Sequence, residues 1–236
     1  MRKLAASGAT VITGAKRPSP EIKELAGDKV VSFTEVDLAD PQGPAQLVAA
    51  AGTRVDILVN NVGSAHPRPD GFLSITDDDW ATSLTLNLMA AVRATRAALP
   101  GMLAAGSGAI VMTCSVNARL PDPVVLDYSA AKAGLAAFAK ALSKEVGPHG
   151  IRVNTVSPGP VATDLWLGHD GVAETLSHVT GARPADIEGQ AAAGSVTGRF
   201  SQPDEVASLI VYLASDLAAN ITGSDFTIDG GLVPTL

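Results

Sequence analysis

Short, nearly continuous apolar runs rich in β-branched residues alternate along the chain with longer alanine-rich stretches. The runs fall at residues 10–13, 30–36, 55–60, 109–114, 152–156 and 225–229. A strand that is apolar at successive positions, rather than at every second one, is buried on both faces, the condition of a parallel sheet. The intervening stretches carry helix signals. Asp40-Pro41 predicts an N-cap and first turn for a helix to about residue 51. Thr76 and Asp79 have capping-box spacing, each able to satisfy the other's backbone donor. Gly8 reads as the residue just past a helix end, and Pro203 as the start of a helix through Leu213. The alternation predicts an α/β fold, a doubly wound parallel sheet with right-handed crossovers.

No repeat, low-complexity tract or linker divides residues 1–236, so a single domain is expected. The one irregular stretch, residues 164–201, is rich in glycine and polar residues. Lying between a strand and the last long helix, it is expected to be a lid-like insertion over a site.

Composition narrows the class. Hydrophobic residues make up 46% of the chain and charged residues 17%, which suits a packed core. The formal net charge of −7 argues against a general nucleic-acid binder. The lone Cys114 excludes an intrachain disulfide and fits a reducing, cytoplasmic setting. No apolar run reaches the roughly 18 residues of a spanning helix, and Met1-Arg2-Lys3-Leu4 lacks the apolar core of a signal peptide. A soluble protein with no membrane partner is expected.

Ligands of open α/β sheets bind at the carboxyl ends of the strands, so the residues there are the candidates for chemistry. Asn60-Asn61-Val62-Gly63 follows one strand, Cys114-Ser115 the next, and Ser157-Pro158-Gly159-Pro160-Val161-Ala162-Thr163 another. Tyr128 and Lys132, four residues apart on a predicted helix, share one face. A phenol has an ordinary pKa of about 10, and a neighbouring ammonium is expected to favour its phenolate. A serine at the adjacent strand end could hydrogen-bond the same reacting oxygen. The set suits proton delivery to a carbonyl or proton removal from an alcohol.

Taken in order, these motifs resemble the single-domain subgroup of the short-chain dehydrogenase/reductase family over essentially the whole chain. Asn60-Asn61-Val62-Gly63 matches the family's NNAG motif, and Asn87 matches its catalytic asparagine. Ser115, 13 residues before Tyr128 (128 − 115), matches its catalytic serine. Tyr128 and Lys132 match its YxxxK, and Pro158-Gly159 with Thr163 its PG turn. The resemblance implies a Rossmann-like fold and an NAD(P)-dependent oxidoreductase acting on a small carbonyl or alcohol substrate. It implies Tyr128 as general acid or base, with Lys132 assisting it and binding the nicotinamide ribose. Ser115 would orient the substrate oxygen, and Asn87 would hold a water linking Lys132 to solvent. Asn60, Val62 and Gly63 would lie along the cofactor ribose, with Asp37 and Leu38 at the adenine. Pro158, Gly159, Val161 and Thr163 would fix the carboxamide. It also implies a homodimer or homotetramer. The apolar positions of the predicted helix 128–146, which spread beyond one stripe, agree with that.

Lys16 and Arg17 follow the strand at residues 10–13, where NAD-preferring enzymes usually carry an acid. NADP(H) is therefore expected over NAD(H).

The match departs from the family in two places. Val62 replaces a small alanine. The family's opening strand and its TGxxxGxG phosphate turn have no counterpart, so the sheet is expected to lack its central first strand between the strands at 10–13 and 55–60. The alternative to an enzyme is accordingly an inactive, truncated family member or a non-enzymatic interaction protein. Other residues have plainer readings. Cys114 is expected to be core packing, His149 a turn residue, and the acids Asp77-Asp78-Asp79 a helix start rather than a metal site. His66 is expected in a loop, while Trp166 is divided between core and substrate contact.

Overall fold

A computed structural model of the chain describes residues 1–26, 30–52, 54–169 and 171–235. The elements in order are α1 (Arg2–Ala6), β1 (Val11–Ala15), α2 (Pro20–Ala26), β2 (Val31–Glu35), α3 (Gly43–Ala50), β3 (Ile57–Asn60) and α4 (Asp77–Leu84). A π-turn, Thr85–Met89, joins α4 to α5 (Ala90–Ala105). There follow β4 (Gly108–Thr113), α6 (Leu126–Val146), β5 (Ile151–Pro158), α7 (Asp164–Leu167), α8 (Val172–Thr180), α9 (Pro184–Ala193), α10 (Pro203–Ala214) and β6 (Asp225–Ile228). All strand pairs are parallel. The result is the Rossmann-like α/β arrangement anticipated from the alternating pattern.

The core explains why the strands read as continuous apolar runs. Successive side chains of a strand point to opposite faces. Ile110 and Met112 of β4 face α5 and α6, where Met102, Leu135 and Ala139 close around them. Val111, between them, faces the other way with Val156, against Val206, Ile210 and Leu213 of α10. β4 and β5 are thus sandwiched between two helical layers.

The strands form two ladders, β1-β2 and β3-β4-β5-β6, and among the described residues no ladder joins β1 to β3. β3 shows the consequence. Leu58 packs with the α5–α6 core and Ile57 and Val59 with the α10 core, so both faces are covered. Yet all three stay half-exposed, so their remaining exposure runs along the strand edge. The two ladders are held together by helices: α3 lies on β1 and packs along α5, which in turn covers β3.

Several local expectations hold. Thr76 and Asp79 form the full capping box, and Gly8 ends α1 with φ +88°, its N–H donating to Ala5 O at 2.9 Å. Two are corrected. Asp40 does not cap α3; its carboxylate accepts from Gln42 N at 2.7 Å in the preceding turn, and the helix begins at Gly43. Residues 164–201 are not irregular, because α7, α8 and α9 occupy most of the stretch. Glycines at 168, 171, 181 and 194 end or start these short helices, which is why the composition reads as loop. Among the described residues no helix is long and apolar enough to cross a membrane.

A strand edge without a ladder leaves its amides to solvent. Amide hydrogen exchange is therefore expected to be markedly faster over residues 11–15 and 57–60 than over 108–113 and 151–158. Equal protection of all four strands would show that another element covers the β1 and β3 edges.

Candidate active site

The carboxyl ends of β3, β4 and β5 present Asn60, Thr113 and Pro158 along one rim. α6 starts beside this rim, and its first turns carry Tyr128 and Lys132 inward. The Lys132 side chain is buried, and its Nζ donates to the carbonyl of Thr113 at 2.9 Å. The same nitrogen lies 5.6 Å from the centroid of the Tyr128 ring. Burial pushes the Lys132 ammonium down to about 8. Burial also pushes the Tyr128 phenol up to about 12, with a hydrogen bond to Ser115 pulling the other way. The expected phenolate-favouring effect of the ammonium does not dominate. Lys132 is buried and Tyr128 half-buried, and desolvation favours the neutral form of each.

Ser115 follows β4 and caps a short 3-10 turn. Its Oγ accepts from Asn117 N at 3.2 Å and donates to Asn117 Oδ1 at 3.1 Å. Asn87 sits in the π-turn between α4 and α5, a helix irregularity often found at functional sites. It is 1% exposed and clamps the backbone of Ser64 from both sides. Its Oδ1 accepts from Ser64 N at 3.1 Å, and its Nδ2 donates to Ser64 O at 2.9 Å. Gly63 closes the group. A Cβ there would fall 2.7 Å from Asn87 Oδ1 and 3.3 Å from Lys132 Nζ, so only glycine fits unmoved. Asn87, Gly63, Lys132, Tyr128 and Ser115, scattered over 70 positions (63 to 132), form one connected cluster.

The other predicted residues lie around it. Asn60 is buried and its Nδ2 donates to Thr95 Oγ1 on α5 at 3.2 Å, so its side chain fastens β3 to the helix and only its backbone faces the rim. Val62 is half-buried next to it. The segment from Pro158 to Thr163 is stapled to Ser201: Ser201 N donates to Pro160 O, and Ala162 N to Ser201 O, both at 2.9 Å. Val161 pairs with Ser201 in an isolated bridge, and Thr163 stands at the N-cap of α7. Asp37, Leu38, Lys16 and Arg17 gather at the ends of β1 and β2, on the smaller ladder. There Lys16 Nζ lies 3.0 Å from Asp37 Oδ2, while Asp37 Oδ1 accepts from Ala39 N at 2.9 Å. The backbone hydrogen bond from Ala39, with help from Lys16, holds the Asp37 carboxyl below its ordinary value.

Cys114 is buried, with its thiol on Lys132 O at 3.2 Å, and burial pushes that thiol up, as suits a packing residue. Trp166 packs edge-on to Phe200, ring centroids 5.3 Å apart, and so leans toward the core reading. Among the described residues no cluster of three His, Cys, Asp or Glu is placed to hold a metal. Pockets of about 250 and 340 Å3 open elsewhere, one beside Lys140 and Asp225, the other beside Arg152 and Asn220; none of the clustered residues lines either.

Sequence reasoning missed Arg68. It lies between two prolines in the loop after β3, and its guanidinium reaches Asp79 at 2.9 Å and Asp127 at 2.7 Å. The Pro67-Arg68-Pro69 frame, which keeps the backbone extended, was the one available signal. It gave no hint of the carboxylates, because they lie on two other helices.

Comparisons with known proteins agree on the kinship. Residues 1–233 match a family model described as enoyl-(acyl carrier protein) reductase. The D-threitol dehydrogenase of Mycolicibacterium smegmatis is 41% identical over 199 residues, 83% of this chain and 69% of its own. A 3-oxoacyl-[acyl-carrier-protein] reductase of Vibrio harveyi is 34% identical over 95% of this chain and 87% of its own. The crystal structure of L-sorbose reductase from Gluconobacter frateurii, complexed with NADPH and L-sorbose, superposes with a TM-score of 0.88. It is 32% identical and the match covers 99% of this chain and 90% of that one. With this overlap in sequence and fold, the chain belongs to the short-chain dehydrogenase/reductase family.

Proposed function

We propose that Tyr128, Lys132, Ser115 and Asn87 perform the proton chemistry of a reversible carbonyl reduction. As a member of its family, the chain is an oxidoreductase that moves hydride between a nicotinamide cofactor and a carbonyl or alcohol carbon. The observation that carries the assignment of roles is the buried contact of the Lys132 ammonium with the Tyr128 ring, closed on one side by Ser115 and on the other by Gly63 and Asn87.

The residues present fit the two ends of a nicotinamide cofactor. An ammonium has three N–H donors, and Thr113 O takes one of those on Lys132 at 2.9 Å. The others suit the paired hydroxyls of a ribose. Val62, Gly63 and the Asn60 backbone line the same rim, with Pro158, Gly159, Val161 and Thr163 across it at the end of β5. Asp37 and Leu38 offer an edge for an adenine, and Lys16 and Arg17 two cations for a ribose phosphate. The cofactor supplies the hydride; the protein supplies position and a proton. A phenol raised to about 12 is fully protonated at neutral pH, ready to give its proton to the carbonyl oxygen as the carbon is reduced. Ser115 holds that oxygen beside the Tyr128 Oη. Lys132, cationic below about pH 8, stabilises the phenolate left behind. Asn87 fixes the loop against which both pack. α7 to α9 extend from the rim at Thr163 and are read as the cover over a small substrate. Ala130, Ala133, Ala137 and Ala141 leave an exposed flat strip on α6 that suits a second copy of the chain in a homodimer or homotetramer. A soluble, cytoplasmic enzyme accords with this reading.

Tyr128→Phe is expected to lower kcat by about 10²- to 10⁴-fold, since it removes the proton donor and keeps the ring. The assay is NADPH oxidation with L-sorbose and a 3-oxoacyl thioester, and NADP-dependent oxidation of D-threitol. Near-normal turnover by the variant would refute the assignment.

The cofactor preference follows from Lys16 and Arg17. NADP(H) is proposed over NAD(H), and Lys16→Glu is expected to shift the ratio of kcat/KM values toward NADH, because it removes a cation and places a second acid beside Asp37. A parent enzyme that clearly prefers NADH would overturn the preference.

The lowered Lys132 value also bears on stability. Between about pH 8 and pH 10.5 the unfolded chain holds the Lys132 proton while the folded chain releases it, so folding gains as pH rises through that window. Below it, the buried charge costs about 3 kcal/mol. Lys132→Met is therefore expected to be stabilised relative to the parent at pH 7, with the difference shrinking as pH approaches 10.5. Urea titrations of both proteins across this range measure it; a difference independent of pH would show that Lys132 is not desolvated.

A further inference from the structure

We propose that Arg68, acting through Asp127, is a positioning residue for Tyr128. The inference rests on the reading of Tyr128 as proton donor given above.

Arg68 is the meeting point of three segments. Its backbone N–H donates to Val124 O at 2.7 Å, pinning the loop after β3 to the turn that leads into α6. One arm of its guanidinium donates to Asp127 Oδ2 at 2.7 Å, and the other to Asp79 Oδ1 at 2.9 Å on α4. Asp79 is the capping acid of α4, its other oxygen accepting from Thr76 N and Thr76 Oγ1. α4 leads through the π-turn to Asn87. Asp127 is the second residue of α6 and immediately precedes Tyr128. Its Oδ1 accepts from the Tyr128 N–H at 3.0 Å, leaving Oδ2 for Arg68. The first four N–H groups of a helix have no partner within it. Here the group belonging to Tyr128 is met by a carboxylate whose direction Arg68 sets.

Burial makes the link directional. The Asp127 side chain is 2% exposed and that of Arg68 17%. A carboxylate that deep is costly to leave unpaired, and its two hydrogen bonds, to Arg68 and to the Tyr128 N–H, give Asp127 one orientation while Arg68 is present. The fork matters as much as the charge, because one planar group spans carboxylates on two helices, a geometry a compact ammonium cannot reproduce. The same loop is held at its other end by the clamp of Asn87 on Ser64. Arg68 thus sets the distance between the loop that carries Gly63 and the turn that carries Tyr128. Its Nε is buried without a partner. An arginine kept there with an unmet donor is placed for its two outer arms.

The experiment compares the full chain with Arg68→Gln, Arg68→Lys and Arg68→Gln/Asp127→Asn, each also in a Tyr128→Phe background. Amide exchange and steady-state kinetics with NADPH are the two readouts. Arg68→Gln is expected to speed exchange at the Tyr128 amide and its neighbours at residues 124–130, leaving 108–113 and 151–158 unchanged. It should lower kcat about 10- to 100-fold, the size of a small misplacement of a reacting group, and change KM less than about threefold. Arg68→Lys should fall between, and the double substitution, which pairs two amides, should recover part of the loss. In the Tyr128→Phe background, Arg68→Gln should cost nothing further. A uniform rise in exchange over all strands, or an equal loss of kcat in both backgrounds, would show a merely structural role and overturn the proposal. If Tyr128→Phe is itself fully active, the functional reading fails, and the exchange pattern alone decides whether Arg68 governs the Tyr128 turn. Should Arg68→Gln not fold, Arg68→Lys is judged by the same two criteria.

Discussion

The parallel ladder of β4 and β5, buried on both faces, is the constraint from which the rest of the molecule follows. A strand covered on both sides takes polar residues only where they find partners, as Asn154 and Thr155 of β5 do, so polar groups free for chemical work gather at its ends. Met112 and Val156 are the last fully enclosed apolar residues of their strands. Thr113, Ser115, Ser157 and Pro158 begin the polar rim directly after them. α6 packs on this ladder through Leu135, Ala139 and Leu142, and that packing fixes its rotation. Tyr128 and Lys132, about two turns and one turn upstream of Leu135, are thereby brought over the end of β4. The Lys132 to Thr113 hydrogen bond is the direct sign of that register.

Loss of water around Tyr128 and Lys132 shifts both partners. In water, an ammonium beside a phenol lowers the phenol. Here desolvation outweighs that attraction, so Tyr128 rises and Lys132 falls. In the proposed reaction, the proton stays on the phenol until the substrate oxygen acquires charge, and the cation acts on the transition state rather than on the resting enzyme.

Much of this was legible in the sequence, for definable reasons. All six strands are marked by short runs of β-branched and apolar residues, clearest in β4, which is buried along most of its length. Asn87, Ser115, Tyr128 and Lys132 were recognised because their order and spacing match a family pattern. The capping box at Thr76 was local, and so readable. What was missed depended on distance or on local ambiguity. Arg68 binds acids 11 and 59 residues away, and no local pattern encodes such a meeting. The direction of the Tyr128 shift depends on burial, which composition does not report. The helices α7 to α9 escaped notice because their short lengths and bounding glycines look like loop. Asp40 was taken for a helix cap because an Asp-Pro pair serves equally well to cap the turn before one.

The break between β1 and β3 gives the helices an added task. The cluster at Tyr128 belongs to the larger ladder, while Lys16 and Asp37 belong to the smaller. No strand pairing fixes one against the other among the described residues. Their relation rests on α3, which lies on β1 and along α5, and on the reach of Arg93 from α5 to Ala39 O at 3.5 Å, next to the Asp37 turn. Helix packing is less exacting than a ladder, since side chains slide where backbone hydrogen bonds hold register. A dinucleotide bound at both ends would itself tie the ladders together. Its binding energy would be divided between contact with the rim and ordering of β1 and β2 against the rest of the sheet. The placement of the adenine end, and with it the proposed discrimination at Lys16, therefore depends on the α3–α5 contact as much as on the residues that touch the ligand.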